Sequence, residues 1–216
     1  MSLLIDIIAK CFSMKQRVPD INDTIVIQDM EILYPAATIL LDLTANEDHI
    51  EEICASMQRH NLFKYIISDK LDQLMHSDLR STQMKKLRDL FIGMVLNLTC
   101  NIEDLSTIIE LITSHNALQV LILILQDNRQ DWPTHGASQA LMQYSHICMN
   151  NDQILRAFEM MKVKECLTRM INQSILIHPE ASVHIQDAIS YLDICETKIS
   201  HIRTIIQTSM HFATAA

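Results

Sequence analysis

The stretch ILLDLTAN, residues 39–46, decides the fold because it returns 55 residues later as MVLNLTCN, residues 94–101. The same shift places the pair His60-Asn61 on the pair His115-Asn116. Two matches that lie far apart in the chain but share one offset indicate an internal repeat.

Two weaker copies extend the pattern, MQYSHICMN at residues 142–150 and ISYLDICET at residues 189–197. They predict about four units with a period of roughly 50 residues in a single helical domain. We expect an N-terminal cap at 2–34 and repeat units at 35–76, 83–127, 136–177 and 183–212.

The composition limits the fold class. The 216 residues include only 2 Gly and 4 Pro, where average usage would give about 15 and 11. Sheet hairpins and phosphate-binding loops depend on those residues, so an all-β fold and a Gly-rich nucleotide site are excluded. The chain is therefore predicted to be all-α.

Apolar spacing divides each unit into three helices, which in the second unit cover 84–99, 102–113 and 117–126. Asparagine replaces glycine at the turns between these helices. Asn46, Asn101 and Asn150 are expected to cap the helix that follows each of them, with acidic residues nearby to match the helix dipole. Asn61 and Asn116 are expected to adopt the left-handed backbone at the second turn of their units.

Two further residues carry structural expectations. Pro35 suits the first turn of a helix, where its missing N–H costs nothing. Gly93 lies inside a helical pattern, where glycine costs about 1 kcal/mol relative to alanine. Close packing against a neighbouring helix is the expected reason for Gly93.

Tandem three-helix units closed by a pattern A-x-x-[AIL]-L-x-[ND]-L-[TA] resemble armadillo repeats and the wider armadillo/HEAT class. The resemblance implies a right-handed superhelix of about four irregular three-helix units. Residues 86–99 are also loosely similar to the armadillo domain of the heat shock factor 2-binding protein family, which implies a nuclear, meiotic recombination setting. The units here are longer than consensus repeats and lack their turn glycine.

The resemblance also implies a binding groove, because one helix of each armadillo repeat lines a concave surface and its motif Asn binds an extended peptide. On this sequence the Asn position falls at Asp42, Asn97, His146 and Asp193. The groove tryptophan of that family would fall at Thr38, Gly93, Met142 and Ile189. Since no tryptophan occurs there, import-signal binding is not expected. The alternative is that these polar positions simply face solvent.

The predicted function is a non-catalytic scaffold that captures a peptide segment of a partner in this groove. The alternative is an obligate subunit of a multiprotein complex, such as a nuclear or meiotic chromosome complex, that binds through convex or terminal helices or by homodimerisation. The terminal segments 2–14 and 199–212 could serve as caps or as docking helices.

No catalytic motif, cofactor or metal site is predicted. H-E-x-x-H, G-x-S-x-G and paired-cysteine signatures are all absent. His178, Glu180 and His184 form the one tight His/carboxylate cluster in the sequence, and an ordinary surface explains it.

Charge and hydropathy bear on the partner and the compartment. A net charge of −9 disfavours nucleic acid and favours a basic or amphipathic peptide partner. Scattered cysteines, no signal-peptide pattern and no apolar run of membrane length predict a soluble protein of the cytoplasm or nucleus. Homo-oligomerisation stays open.

Overall fold

The computed structural model describes residues 23–46, 50–64, 66–67, 82–127, 132–173 and 179–214. These residues form helices and the short connections between them, and none of them lies in a strand, so the all-α prediction is confirmed. The predicted N-terminal helix at 2–14 and His178 lie outside the described residues.

Nine helices make up most of the described part of the chain. Their bounds are α1 (Asp23–Thr44), α2 (Ile50–Arg59), α3 (Thr82–Asn101), α4 (Leu105–Ser114), α5 (Ala117–Gln126), α6 (Trp132–Cys148), α7 (Asp152–Met160), α8 (Val163–Asn172) and α9 (Pro179–Thr214). A further helical turn begins at Leu62, after α2.

The second and third units share one order of helices. A long helix is followed by two short ones, α3 by α4 and α5, and α6 by α7 and α8. The fourth copy differs because α9 is a single helix of 36 residues. The prediction of a fourth three-helix unit is therefore wrong for residues 179–214.

The long helices lie side by side. α1 packs on α3, α3 packs on α6, and α6 packs on α9 in the most extensive helix contact of the described chain. Short helices pack on this row, α5 on α6 and α8 on α9, and the short helices α4 and α7 pack on each other. One hydrophobic core of mainly leucine, isoleucine and alanine runs through these contacts.

The two glycines lie where the long helices meet. A Cβ on Gly93 would lie 2.7 Å from the Leu41 Cδ1 of α1 and 3.3 Å from the Trp132 ring. A Cβ on Gly136 would lie 3.1 Å from the Leu96 Cδ1 of α3. Close helix packing at Gly93 is confirmed, and Gly136 repeats it at the next helix pair.

The left-handed turns recur in every unit that has three helical segments. Asn61 and Asn116 have φ values of 54° and 56°, which confirms both predictions. Lys162 occupies the same junction between α7 and α8 with a φ of 51°. The third unit thus keeps the turn without the asparagine that made it visible in the sequence.

The caps of the second helices differ from the prediction. Asp104 caps α4 by accepting a hydrogen bond from the Thr107 N–H at 2.8 Å. Asn151 caps α7 by accepting from the N–H groups of Gln153 and Ile154, each at 3.0 Å.

The predicted caps Asn101 and Asn150 are therefore wrong. Asn101 is still inside α3, and Asn150 belongs to the turn one residue before the cap. Residues 47–49 lie outside the described part, so Asn46 stays a prediction. The placement of Pro35 in a first turn is also wrong, because α1 begins at Asp23 and contains Pro35 in its interior.

Candidate partner-binding clefts

Two open clefts flank residues 102–104, the connector between α3 and α4. The larger has a volume of about 540 Å³ and lies between the end of α3, α4, α6 and α9. We name it the Tyr191 cleft, and it is lined by Cys100, Ile102, Glu103, Ile108, Met142, Gln143, Tyr144, His146, Ile147 and Tyr191.

The smaller cleft has a volume of about 260 Å³ and lies between α2 and the start of α4. We name it the Cys54 cleft, and it is lined by Ile50, Glu51, Cys54, Ala55, Gln58, Ile102, Glu103, Asp104, Ser106 and Thr107. Ile102 and Glu103 belong to both clefts, so the connector forms a shared border.

An aromatic pair forms one wall of the Tyr191 cleft. The His146 ring of α6 lies edge-on to the Tyr191 ring of α9, with centroids 5.0 Å apart and an interplanar angle of 71°. His146 is exposed and Tyr191 is half-buried. The half-buried Met142, one helical turn before His146, continues this wall. Such aromatic and methionine side chains are enriched at protein interfaces.

Tyr144, which lines the same cleft, has a buried hydroxyl. Its side chain is 1% exposed, and its Oη has no hydrogen-bond partner among the described residues. Burial raises the pKa of Tyr144, and the neighbouring thiols of Cys100 and Cys54 add to this effect. The hydroxyl is therefore neutral. Leaving it unsatisfied costs about 1–3 kcal/mol.

Carboxylates are the main charged groups that line the two clefts. Glu51, Glu103 and Asp104 supply carboxylates, and no Lys or Arg is among the described lining residues. Hydrogen bonds from Ser106 and Thr107 lower the pKa of Asp104 to about 2. Burial raises the pKa of Cys54 to about 12 and also raises the pKa of Cys100, so both thiols stay protonated at neutral pH.

Of the six predicted groove residues, the structure brings Met142 and His146 together in the Tyr191 cleft. Asn97 makes internal contacts, because its Nδ2 donates to the Leu41 carbonyl at 3.4 Å and to the Thr44 Oγ1 at 3.3 Å. Its amide thus ties α3 to the end of α1.

The other three predicted residues lie away from both clefts. The Thr38 hydroxyl donates to the Tyr34 carbonyl of its own helix at 2.9 Å. Asp42 is exposed on α1. Asp193 is exposed and forms an ion pair with Lys164 at 2.7 Å, which, together with Glu196, raises the pKa of Lys164.

Sequence reasoning missed Tyr144, Tyr191 and Glu103. A signal for the two tyrosines was present, because each lies two residues before the motif's polar position, His146 in the third copy and Asp193 in the fourth. No comparable signal marked Glu103, whose place in both clefts depends on the path of the connector.

A second polar cluster joins α6 to α9. The His135 Nδ1 lies 3.4 Å from the Glu180 Oε2, the His135 and His184 rings are 5.0 Å apart, and the Ser138 Oγ lies 3.1 Å from the His184 Nδ1. In the described part of the chain, no three His, Cys, Asp or Glu side chains are arranged to hold a metal ion.

Within the described ranges, no individual helix has the length and apolar content to cross a membrane, and α4 with α5 meets that test only as a pair bent by 72°. Neither the protein-family models nor the curated proteins with which the sequence was compared gave a match. The armadillo resemblance therefore stays a prediction.

Proposed function

We propose that this chain is a non-catalytic interaction scaffold that captures a short segment of a partner protein in the Tyr191 cleft. One observation carries the proposal. Met142 and His146, which the armadillo resemblance implies as groove residues, line one open cleft together with Tyr191.

The character of the cleft suits a peptide. Its volume of about 540 Å³ is large enough for a few side chains. The lining alternates apolar residues such as Ile108 and Ile147 with polar groups such as Gln143 and Glu103. An unbranched Met142 side chain can adapt its shape to different apolar groups. Main-chain recognition of a peptide needs this mixture of apolar surface and hydrogen-bonding groups.

The row of long helices supports the same proposal. In stacked helical repeats, one helix from each unit contributes to a continuous binding surface. Here α3, α6 and α9 contribute in that way, because Cys100, His146 and Tyr191 come from successive long helices and line the same cleft. A right-handed superhelix is part of this proposal.

A second candidate is an obligate subunit that binds through its C-terminal helix. The observation in its favour is a set of exposed apolar side chains on α9, namely Val183, Ile194, Ile202 and Ile205, which are 44–56% exposed. Under this alternative the partner packs on α9, and the Tyr191 cleft is not involved.

The test is selection of a random peptide library on the purified chain, followed by affinity measurements on the variants His146→Ala and Met160→Ala. Met160 is the matched control, because it is 79% exposed and lines neither cleft. We expect His146→Ala to weaken binding of the selected peptides by about tenfold and Met160→Ala to leave it unchanged.

Thermal unfolding of both variants serves as the stability control. Substitutions at exposed sites are expected to change stability by less than about 0.5 kcal/mol. If no peptide is enriched, or if the two variants bind equally well, the proposed function is wrong.

A further inference from the structure

We infer that the occupant of the Tyr191 cleft is a basic peptide segment whose Lys or Arg side chain pairs with Glu103. The inference rests on the proposed function and adds to it the chemistry of the partner. Its two supports are the charges around the connector and the unpartnered hydroxyl of Tyr144.

The charges favour a cation. Glu51, Glu103 and Asp104 line the Cys54 cleft, Glu103 also lines the Tyr191 cleft, and neither cleft has a Lys or Arg among its described lining residues. Asp104 is already engaged, since its Oδ2 accepts from the Thr107 N–H and from the Ser106 and Thr107 hydroxyls. Glu103 is exposed and lines both clefts, so it is the carboxylate that a ligand in either cleft can reach.

The Tyr144 hydroxyl provides an independent observation. A buried O–H without an acceptor is rare in folded proteins and is costly to maintain. Tyr144 lines the Tyr191 cleft and its Oη is buried, so a main-chain carbonyl of a bound peptide could accept this hydrogen once binding displaces the side chains that cover the hydroxyl. Binding would then recover a hydrogen bond that the free protein lacks.

The remaining lining fits the stem of a long basic side chain. Lys and Arg lay their methylene groups along apolar surface while the charged end stays near water or a carboxylate. Ile102 adjoins Glu103 on the connector, and Met142 lies on the α6 side of the cleft. Tyr191, which lines the same cleft, is an aromatic side chain of the kind that attracts cations to its ring face.

The experiment uses peptides that were selected on the wild-type chain and that lose binding in His146→Ala. Each peptide is synthesised in two forms, one with its basic residues intact and one with them replaced by Gln. They are measured against the wild type, Glu103→Gln and Glu52→Gln. Glu52 is the matched control, because it is an exposed carboxylate on α2 that lines neither cleft. We expect Glu103→Gln to weaken the binding of the basic peptides by about tenfold and to reduce the salt dependence of that binding. Glu52→Gln should bind as the wild type does.

Tyr144→Phe tests the second support. Because the hydroxyl is unsatisfied in the free protein, its removal should leave the unfolding midpoint unchanged or raise it, while the selected peptides bind several-fold more weakly. Unchanged peptide affinity in Tyr144→Phe would overturn the role of the hydroxyl.

Three outcomes separate the proposals. If His146-dependent peptides lack basic residues, or if they bind Glu103→Gln as tightly as the wild type, the inference fails and the proposed function stands. Loss of binding in Glu103→Gln but not in Glu52→Gln supports the inference. If no His146-dependent peptide is found, the proposed function fails and the inference fails with it.

Discussion

The second repeat unit and the C-terminal helix α9 carry copies of one motif but continue in different ways. After the motif MVLNLTCN, α3 ends at Asn101 and α4 begins at Leu105 behind the cap Asp104. After the motif ISYLDICET, α9 continues without a break to Thr214. The same motif is thus followed by a turn in the second unit and by continuing helix in α9, so the residues behind the motif decide whether the chain folds back.

Whether the chain folds back after the motif determines how many of the following side chains are buried. In the second unit, the third helix α5 has seven of its ten residues buried, including Leu118, Leu121 and Leu125. In the distal part of α9, Ile202 and Ile205 are 56% and 53% exposed. Stability should therefore depend strongly on the second unit and weakly on the end of α9.

The largest expected effect is the loss of a core side chain from the second unit. Leu121→Ala should lower the free energy of unfolding by about 2–5 kcal/mol, because Leu121 is fully buried and a cavity would remain. Ile202→Ala on α9 is the matched control and should change it by less than about 0.5 kcal/mol. Urea unfolding measures both, and equal losses would contradict the comparison.

A smaller effect is expected at the left-handed turn that lets α5 fold back. Asn116→Val should cost about 1–3 kcal/mol, because a β-branched residue is strained at the φ of 56°. Asn116→Gly keeps the turn and is the control, with a change of about 0.5 kcal/mol or less. Equal thermal midpoints for the two variants would contradict this role of the turn.

The same reasoning predicts that a substitution at the left-handed turn of the third unit raises stability. Lys162→Gly should raise stability by up to about 1 kcal/mol, because the lysine holds a φ of 51° that glycine adopts without strain. Lys162→Ala, which retains the strain, serves as the comparison in chemical denaturation. A lower stability for Lys162→Gly than for Lys162→Ala would show that the lysine contributes contacts of its own.

Removing the cap of α4 in Asp104→Ala should lower the free energy of unfolding by about 1 kcal/mol. Asp104→Asn keeps a hydrogen-bond acceptor and should lower it by less. The effect depends on pH. The folded-state pKa of Asp104 is about 2 and its ordinary value is 3.8, so the charged cap stabilises fully above the ordinary value and its contribution falls as the pH drops toward 2. Unfolding measured across this range should show wild type and Asp104→Ala converging at low pH, and a constant difference would contradict this assignment.

Much of the fold could be predicted from local sequence. The helical class follows from composition, and the left-handed turns follow from Asn61 and Asn116, because asparagine tolerates that backbone. The caps could not be predicted from the repeat alignment. A cap lies immediately before the helix that it caps, and the alignment does not show at which residue that helix begins. The alignment matched Asn101 and Asn150, and it could not show where α3 ends or that Asp104 and Asn151 come next.

The candidate site could be predicted only in part. Met142 and His146 followed from their positions in the motif, which placed them on one face of α6. The contact of His146 with Tyr191 depends on how α6 and α9 pack, which no local pattern encodes. Asn97, the best match to the armadillo motif, contacts α1, because the close approach of α3 at Gly93 brings the end of α1 within reach of its amide.

The most direct test of the central claim is a methyl NMR titration of the chain with a selected basic peptide. The proposal predicts saturable shifts for the Met142, Ile108 and Ile147 methyl groups, which line the Tyr191 cleft, with Met160 unchanged. Shifts confined to Ile194, Ile202 and Ile205 of α9, with Met142 unmoved, would contradict it and favour binding through the C-terminal helix.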